Sequence, residues 1–338
     1  MALLEVDDLQ IALPQRGSWL GAVRGLHFSM QAGETLGLVG ESGCGKSLTA
    51  LALMGLLPEG ARVQGQVRLD GTDLLALDDR AWQGVRGHRV AMIFQEPMTA
   101  LNPLHPVGHQ VAEPLRRHKR VSASEAQRAA IAVLERVGIP DAGRRARDYP
   151  HQFSGGQRQR IMIAMALICE PSLLIADEPT TALDVTVQRQ ILALIDALVR
   201  ERSMGLLLIS HDLPLIARSV RRVLVMYGGQ AMEYGPTDAV FEHPAHPYTK
   251  GLLRARPTLG ARRAIRLETI PGQVPALEAM PSGCPFAPRC ALRADACEHG
   301  RVAVVQQASG QQVACVMPPV QRGLVALAVD AVHGTSHE

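Results

Sequence analysis

The sequence predicts an α/β fold built on a mostly parallel sheet covered by helices on both faces. Three observations predict it. Short apolar runs suited to buried strands alternate with helical patterns. The stretch Gly40-Glu-Ser-Gly-Cys-Gly-Lys-Ser47 fits G-x-x-x-x-G-K-[ST] and stands between such a strand and a helix. Polar residues able to do chemistry, namely Gln95, Asp177, Glu178 and His211, fall at the ends of predicted strands, where ligands of parallel sheets bind.

Taken in order, residues 3 to 33 alternate apolar and polar around turn residues at Pro14, Gly17 and Gly33, which predicts an antiparallel strand pair. Thr35-Leu-Gly-Leu-Val39 reads as a buried strand and Leu48 to Leu57 as the helix after the glycine-rich loop. Residues 62 to 75 alternate again, with Asp70-Gly71 as a hairpin signal, and Val90-Ala-Met-Ile-Phe94 is a further buried strand. From about 103 to 170 the pattern is helical. Ser122-Ala-Ser-Glu125 is a capping box opening one helix, and Ser154-Gly-Gly-Gln157 opens another. Strands at 173–176, 206–209 and 223–226 follow, with a helix from Val185 to about Arg200 between the first two. After about 255 the periodicity gives way to Pro-, Gly- and Cys-containing sequence, which places a boundary there.

Composition narrows the function classes. A chain of 338 residues suits one large domain with an appendage. Its 35 basic residues against 32 acidic ones leave a net charge of +3, and aromatics are 3 %, so the arginine-rich runs at 116–120, 144–147 and 262–266 read as solvated faces and argue against a nucleic-acid partner. The acidic start, Met1 to Asp8, lacks the basic region of a secretory signal, and the apolar run Ile161 to Cys169 is far shorter than a bilayer requires. The expectation is a cytosolic chain whose six cysteines sit in a reducing compartment.

In the glycine-rich loop, Gly40, Glu41, Ser42, Gly43, Cys44 and Gly45 would turn successive N–H groups toward phosphate oxygens at a helix N-terminus. Lys46 would reach the β- and γ-phosphates, and the Ser47 hydroxyl would ligate Mg²⁺. Asp177, at a strand end, suits the second Mg²⁺ anchor, and Glu178 beyond it could polarise a water for in-line attack. His211 could bond the γ-phosphate or that water. Alone, it reads more simply as a satisfied structural histidine, and Gln95 has the same ambiguity.

Together these residues resemble the ATP-binding cassette (ABC) family across residues 1 to 255. The family signature is present as Phe153-Ser-Gly-Gly-Gln157, the acidic pair as Leu173-Leu-Ile-Ala-Asp-Glu178, followed by Ala182-Leu-Asp184, the switch histidine His211 and the glutamine Gln95. The resemblance implies a phosphate-loop NTPase with a mostly parallel core sheet, an antiparallel β subdomain and a helical signature subdomain at about 96–165. It implies Mg²⁺ and ATP as cofactor and substrate, with Ser47, Asp177 and Gln95 at the metal and Glu178, His211 and Gln95 in catalysis. It also implies a head-to-tail dimer in which Ser154, Gly155, Gly156 and Gln157 face the γ-phosphate on the other subunit. Asp184 would lie at that seam, and it equally suits an N-cap for the helix beginning near Val185. Leu13 stands where the family usually stacks an aromatic on adenine, which predicts weaker purine stacking; Trp19, close by, is expected in a loop.

Gln95-Glu-Pro-Met-Thr-Ala-Leu-Asn-Pro103, Ala182-Leu-Asp-Val-Thr-Val-Gln188 and His246-Pro-Tyr-Thr-Lys250 are similar to the ATPase subunits of bacterial oligopeptide/dipeptide importers, a group that includes nickel and glutathione transporters. That branch implies two membrane-spanning permease subunits, a second identical or homologous ATPase subunit, an extracytoplasmic substrate-binding protein, and a peripheral place on the cytoplasmic face of the inner membrane. The segment after Gln95 would contribute to a groove for a coupling helix. Soluble ABC proteins of DNA repair or translation are the competing class; they usually carry a coiled-coil insertion or two cassettes. A small-molecule kinase would leave the signature unexplained.

The extension, 256–325 with a tail at 326–338, carries Cys284, Cys290, Cys297 and Cys315, with five, six and seventeen residues between them. These spacings match neither paired zinc-ribbon cysteines nor common ferredoxin runs. Four thiols in a loop-rich cytosolic segment still call for a metal. The resemblance to the importer branch implies a [4Fe-4S] cluster on these four, with zinc or no metal as the alternatives. Cys44 and Cys169 are expected to be unliganded.

Overall fold

The computed structural model describes residues 2–15, 17–95, 100–180, 184–255, 269–300 and 302–317. A four-stranded antiparallel sheet takes the order β2 (Ser18–Met30), β1 (Leu4–Gln15), β4 (Arg62–Leu69), β5 (Thr72–Asp73). The β4–β5 turn is Asp70-Gly71, both at positive φ (47° and 76°), as the hairpin signal required. Trp19 does not lie in a loop: it is in β2, opposite Pro14 of β1, while Leu13 pairs with Leu20. The strands simply continue to the tip of the hairpin, because the ladder with β1 runs on to the Gln15–Ser18 pair.

The main sheet has eight strands. Five run parallel, in spatial order β9 (Arg222–Tyr227), β3 (Thr35–Val39), β8 (Gly205–Ile209), β7 (Leu173–Asp177), β6 (Val90–Ile93). Alternate residues of these strands enter two different cores. Leu173, Ile175, Leu207, Ile209, Leu36 and Leu38 pack toward the antiparallel sheet and α1 (Lys46–Leu53). Leu174, Ala176, Leu206, Leu208, Val223 and Val225 pack toward the helices α3 (Val107–Lys119), α4 (Ala123–Arg136), α6 (Gly155–Leu167) and α7 (Val185–Arg202). Burial on both faces is why these strands are almost wholly apolar.

The caps expected from sequence form. Ser122 accepts from the Glu125 N–H while Glu125 accepts from the Ser122 N–H, and Ser154 and Gln157 make the same reciprocal pair at the start of α6. Between α4 and α6 lies the short α5 (Ala142–Arg145), completing the helical subdomain, while α2 (Asp79–Val85) precedes β6.

β10 (Gln230–Pro236) pairs antiparallel with β9, and the chain continues through α9 (Thr237–Glu242) and α10 (Pro247–Arg254), α8 (Leu213–Ser219) having joined β8 to β9. The extension then returns to the same sheet: β12 (Gln312–Ala314) pairs with β10, and β11 (Val304–Gln306) with β12. Phe286, Ala287, Val302 and Ala314 of this segment are buried in the core shared with the helices. Residues 318–338, the tail call at 326–338 among them, lie outside the described residues.

Gln311 fastens the returning chain. Its side chain is 1 % exposed, and its amide donates to the Glu233 carboxylate at 2.9 Å and to the Ala239 and His243 carbonyls at 3.1 and 3.0 Å. Glu233, equally buried, also accepts from the Ala245 and His246 N–H groups. Truncation at 311 strands buried acceptors, so Gln311→Ala is expected to cost about 1–3 kcal/mol. A lowered urea midpoint and faster proteolysis of the extension would show it; an unchanged midpoint would mean that this contact does not hold the segment.

Candidate active site

Register explains why the polar residues meet. Val39 is level with Val225, Asp177 with Ile209, and Ile93 with Ala176, so β3, β8, β7 and β6 all end at one edge of the sheet. The phosphate-type loop, His211, the acidic pair and Gln95 leave those four ends. Residues far apart in sequence therefore converge on one crevice.

The loop is held open by backbone geometry. Gly40, Gly43 and Gly45 have φ of 149°, 79° and 99°. A Cβ on Gly40 would come within 2.1 Å of the Met226 carbonyl, so only glycine fits the close pass of the loop over β9. α1 starts at Lys46 with no side-chain cap, leaving the first N–H groups of the helix directed at the crevice. Lys46 is 7 % exposed, and its ammonium donates to the Gly40 and Glu41 carbonyls at 2.8 and 3.0 Å. Ser42, Gly43 and Ser47 are exposed, whereas Cys44 and Gly45 are buried beneath them.

Asp177 is buried, and Ser47 donates a hydrogen bond to its carboxylate. Its Oδ1 has no partner. Burial pushes the Asp177 carboxyl above the usual carboxylate range, the Ser47 hydrogen bond opposes that rise, and neighbouring Glu178 adds to it. An orphaned, buried carboxylate oxygen beside a serine hydroxyl is the donor set of a hard divalent cation such as Mg²⁺.

Glu178 follows in the left-handed region, φ 47°, an uncommon choice for a side chain of this size. Its N–H donates to the Ile209 carbonyl at 2.9 Å, which fixes that turn against β8. The turn sends the carboxylate sideways between two partners: the Gln95 amide donates to Oε2 at 3.1 Å, and His211 Nδ1 lies 3.1 Å from Oε1. A carboxylate only accepts, so this pairing assigns the proton to Nδ1 and leaves Nε2 of the exposed imidazole toward solvent.

Two predicted elements stand apart from this cluster. Ser154 and Gly155, at the capped start of α6, are exposed. Gly156 packs on α7, where a Cβ would come within 2.8 Å of Val187. Asp184 caps α7, its Oδ1 accepting from the Thr186 and Val187 N–H groups at 3.0 and 2.9 Å. Ala182 and Leu183, and residues 96–99 of the segment after Gln95, lie outside the described residues. An apolar groove of about 690 Å³ opens beside Gln95, lined by Met54, Met92, Phe94, Met162 and Met165 among others.

In the extension, the Cys284 N–H donates to the Cys297 carbonyl at 2.8 Å, closing a loop around Cys290. Burial pushes the Cys284 thiol up to about 11, and the nearby Cys297, Cys290 and Cys315 add to the rise, so the four thiols share one neighbourhood. Among the described residues, no group of three or more His, Cys, Asp or Glu side chains is arranged to hold a metal ion. Cys44 and Cys169 are buried, and burial raises both thiols.

The sequence reading missed Arg289. Its guanidinium meets the Glu41 carboxylate of the loop from 248 residues away, a contact that no local pattern announces.

Known proteins resemble this chain. The family described as "ABC transporter" matches residues 23–181, and that described as "Oligopeptide/dipeptide transporter, C-terminal region" matches 232–297. The oligopeptide transport ATP-binding protein OppD of Salmonella typhimurium is 50 % identical over 297 residues, covering 88 % of each chain. OppD of Escherichia coli is 50 % identical over 296 residues, with the same coverage. Among solved structures, the dimeric MJ0796, a bacterial ABC transporter cassette, is 26 % identical with a TM-score of 0.63, covering 69 % of this chain and 98 % of that one. The same cassette in a post-hydrolysis state with ADP and Pi gives 25 % and 0.63 at the same coverage.

Asp184 allows its capping role to be separated from its charge. Asparagine caps as well as aspartate, so Asp184→Asn should keep the stability of the chain, while Asp184→Ala should lose about 1 kcal/mol. Denaturant midpoints test this. Equal midpoints for the two variants would mean that the cap does not contribute.

Proposed function

Since the chain belongs to the ABC transporter family and is one of its ATPases, we propose that it powers a peptide-type importer through the site built on Gly40–Ser47, Gln95, Asp177, Glu178 and His211. The observation that carries this reading is the carboxylate arrangement: Asp177 has a free oxygen beside Ser47, and Glu178 is held on both oxygens. Loop N–H groups and Lys46 bind the triphosphate. Lys46 exchanges the Gly40 and Glu41 carbonyls, which now occupy it, for β- and γ-phosphate oxygens. Ser47 and Asp177, with Gln95 beside them, would hold Mg²⁺, which neutralises charge developing on the phosphates. Glu178 takes the proton of the attacking water, with Gln95 and His211 fixing its plane.

Ser154, Gly155, Gly156 and Gln157 serve the site of a second ATPase subunit, identical or homologous, in a head-to-tail pair. Support comes from the exposure of Ser154 and Gly155 at a helix start and from the dimeric assembly named for the cassette MJ0796. Peptide cargo is supported by the oligopeptide transport relatives and by the matched C-terminal region. No helix of the described residues is long and apolar enough to cross a membrane. As in an oligopeptide importer, the chain would work from the cytoplasmic face against two permease subunits, whose cargo a substrate-binding protein delivers, with the apolar groove beside Gln95 receiving a permease helix.

For the four tail thiols the metal group proposed is a [4Fe-4S] cluster, supported by the shared neighbourhood of Cys284, Cys290, Cys297 and Cys315. A single zinc bonded at about 2.3 Å draws its sulfurs close together, whereas a [4Fe-4S] cluster distributes its thiolates over separate irons. Cys284, Cys290, Cys297 and Cys315 would hold it, and it would supply a structural clip for a segment with few regular elements. About four irons and four sulfides per chain in anaerobically purified protein, lost in Cys290→Ser, are the expected result; one zinc, or no metal, would overturn it.

Glu178→Gln should keep ATP binding, trap the nucleotide-bound dimer and slow turnover by about 10²- to 10⁴-fold. Turnover near the wild-type rate would remove Glu178 as general base. Lys46→Ala should weaken ATP binding itself by about tenfold or more, and unchanged affinity in calorimetry would count against the loop as the phosphate site.

A further inference from the structure

Arg289 lies between Cys284 and Cys290, in a 3-10 turn over Ala287–Arg289. Its side chain is only 6 % exposed. A guanidinium has five N–H donors, and here all five are used. Nη1 donates to Glu41 Oε2 at 2.5 Å and to the Tyr227 hydroxyl at 3.2 Å. Nη2 donates to Glu41 Oε1 and to the Ile270 carbonyl, both at 3.2 Å, and Nε to the Pro271 carbonyl at 2.8 Å. The pair with Glu41 is bidentate, the geometry in which arginine and carboxylate bind most strongly and which lysine cannot copy.

Glu41 is the first residue inside the phosphate loop, and the extension reaches it by a second route. Phe286 packs on Tyr227 and Tyr248, with ring centroids 5.3 Å apart in each case, and the Tyr248 hydroxyl accepts the Glu41 N–H at 2.9 Å. The Glu41 carbonyl accepts from Lys46. Backbone donor, backbone acceptor and side chain of one loop residue are thus all fixed, two of them by groups that the extension contacts.

The charges give this contact a consequence. A nucleoside triphosphate brings several negative charges to the loop, and a carboxylate within the loop opposes them unless a cation offsets it. Arg289 is that cation. We infer that the cysteine-bearing extension sets the nucleotide affinity of the phosphate loop through Arg289, a positioning residue that neutralises Glu41 and fixes its backbone. Binding linkage is reciprocal, so nucleotide and a properly folded extension stabilise each other. This inference rests on the loop being the triphosphate site.

The test measures ATP binding to the full-length chain by calorimetry, and KM and kcat in turnover, for five proteins: wild type, Arg289→Gln, Arg289→Lys, Glu41→Gln and the Arg289→Gln/Glu41→Gln double variant. Arg289→Gln is expected to raise the Kd and KM for ATP about tenfold with kcat little changed, since the chemistry lies at Glu178. Arg289→Lys should recover only part of that loss. Glu41→Gln alone should bind ATP more tightly, because an anion leaves while Arg289 stays, and in its background Arg289→Gln should cost less than threefold.

Wild-type affinity in a folded Arg289→Gln protein would overturn the inference. So would an equal tenfold loss with or without the Glu41 carboxylate, or weaker binding by Glu41→Gln, which keeps the question decidable if Arg289→Gln does not fold. Lys46→Ala separates the two levels of the reading. If it leaves ATP affinity intact, the loop assignment fails; if it weakens binding while Arg289→Gln does not, the inference about the extension fails alone.

Discussion

Everything in the site depends on the path of the backbone from Gly40 to Gly45. That path needs positive φ at three glycines and passes so close to the Met226 carbonyl that a single methyl group would block it. In return it brings the start of α1, which has no side-chain cap, to the crevice. The site is thus arranged before any ligand arrives, and preorganised donors of this kind lose little when charge develops on them. Lys46 bonds to the loop's own carbonyls.

The parallel sheet does the rest of the positioning. Four strands in register end at one edge, and the functional side chains leave those ends. Two adjacent residues on β7 and its exit have opposite situations. Asp177 is buried with an oxygen left over, suited to a cation. Glu178, turned by its left-handed φ, is held by hydrogen-bonding groups on both oxygens and suited to a water. Their different environments, rather than their shared chemistry, separate the two roles.

Much of this was legible in the sequence because it is local. The glycine pattern of the loop, the apolar runs ending in Asp177 and His211, the Asp70-Gly71 hairpin and the capping boxes at Ser122 and Ser154 are each determined by residues within a few positions of one another. What was not legible is long-range. The return of residues 304–314 to the main sheet beside β10, the Gln311–Glu233 fastening and the Arg289–Glu41 pair join segments 78 to 248 residues apart. A polar residue in an aperiodic segment carries no mark of which distant carboxylate it will meet. Trp19 was misplaced for a related reason: Gly17 and Ser18 look like the start of a loop, yet pairing with Pro14 and Gln15 extends the strands to the hairpin tip.

The most direct measurement is a crystal structure of the full chain with Mg²⁺ and a non-hydrolysable ATP analogue. The account predicts that the Gly40–Gly45 backbone stays in place while the Lys46 ammonium leaves the Gly40 and Glu41 carbonyls for β- and γ-phosphate oxygens, with Ser47 and the free Asp177 oxygen facing the metal. Phosphates bound away from this loop, or Lys46 still on its carbonyls with nucleotide present, would contradict it.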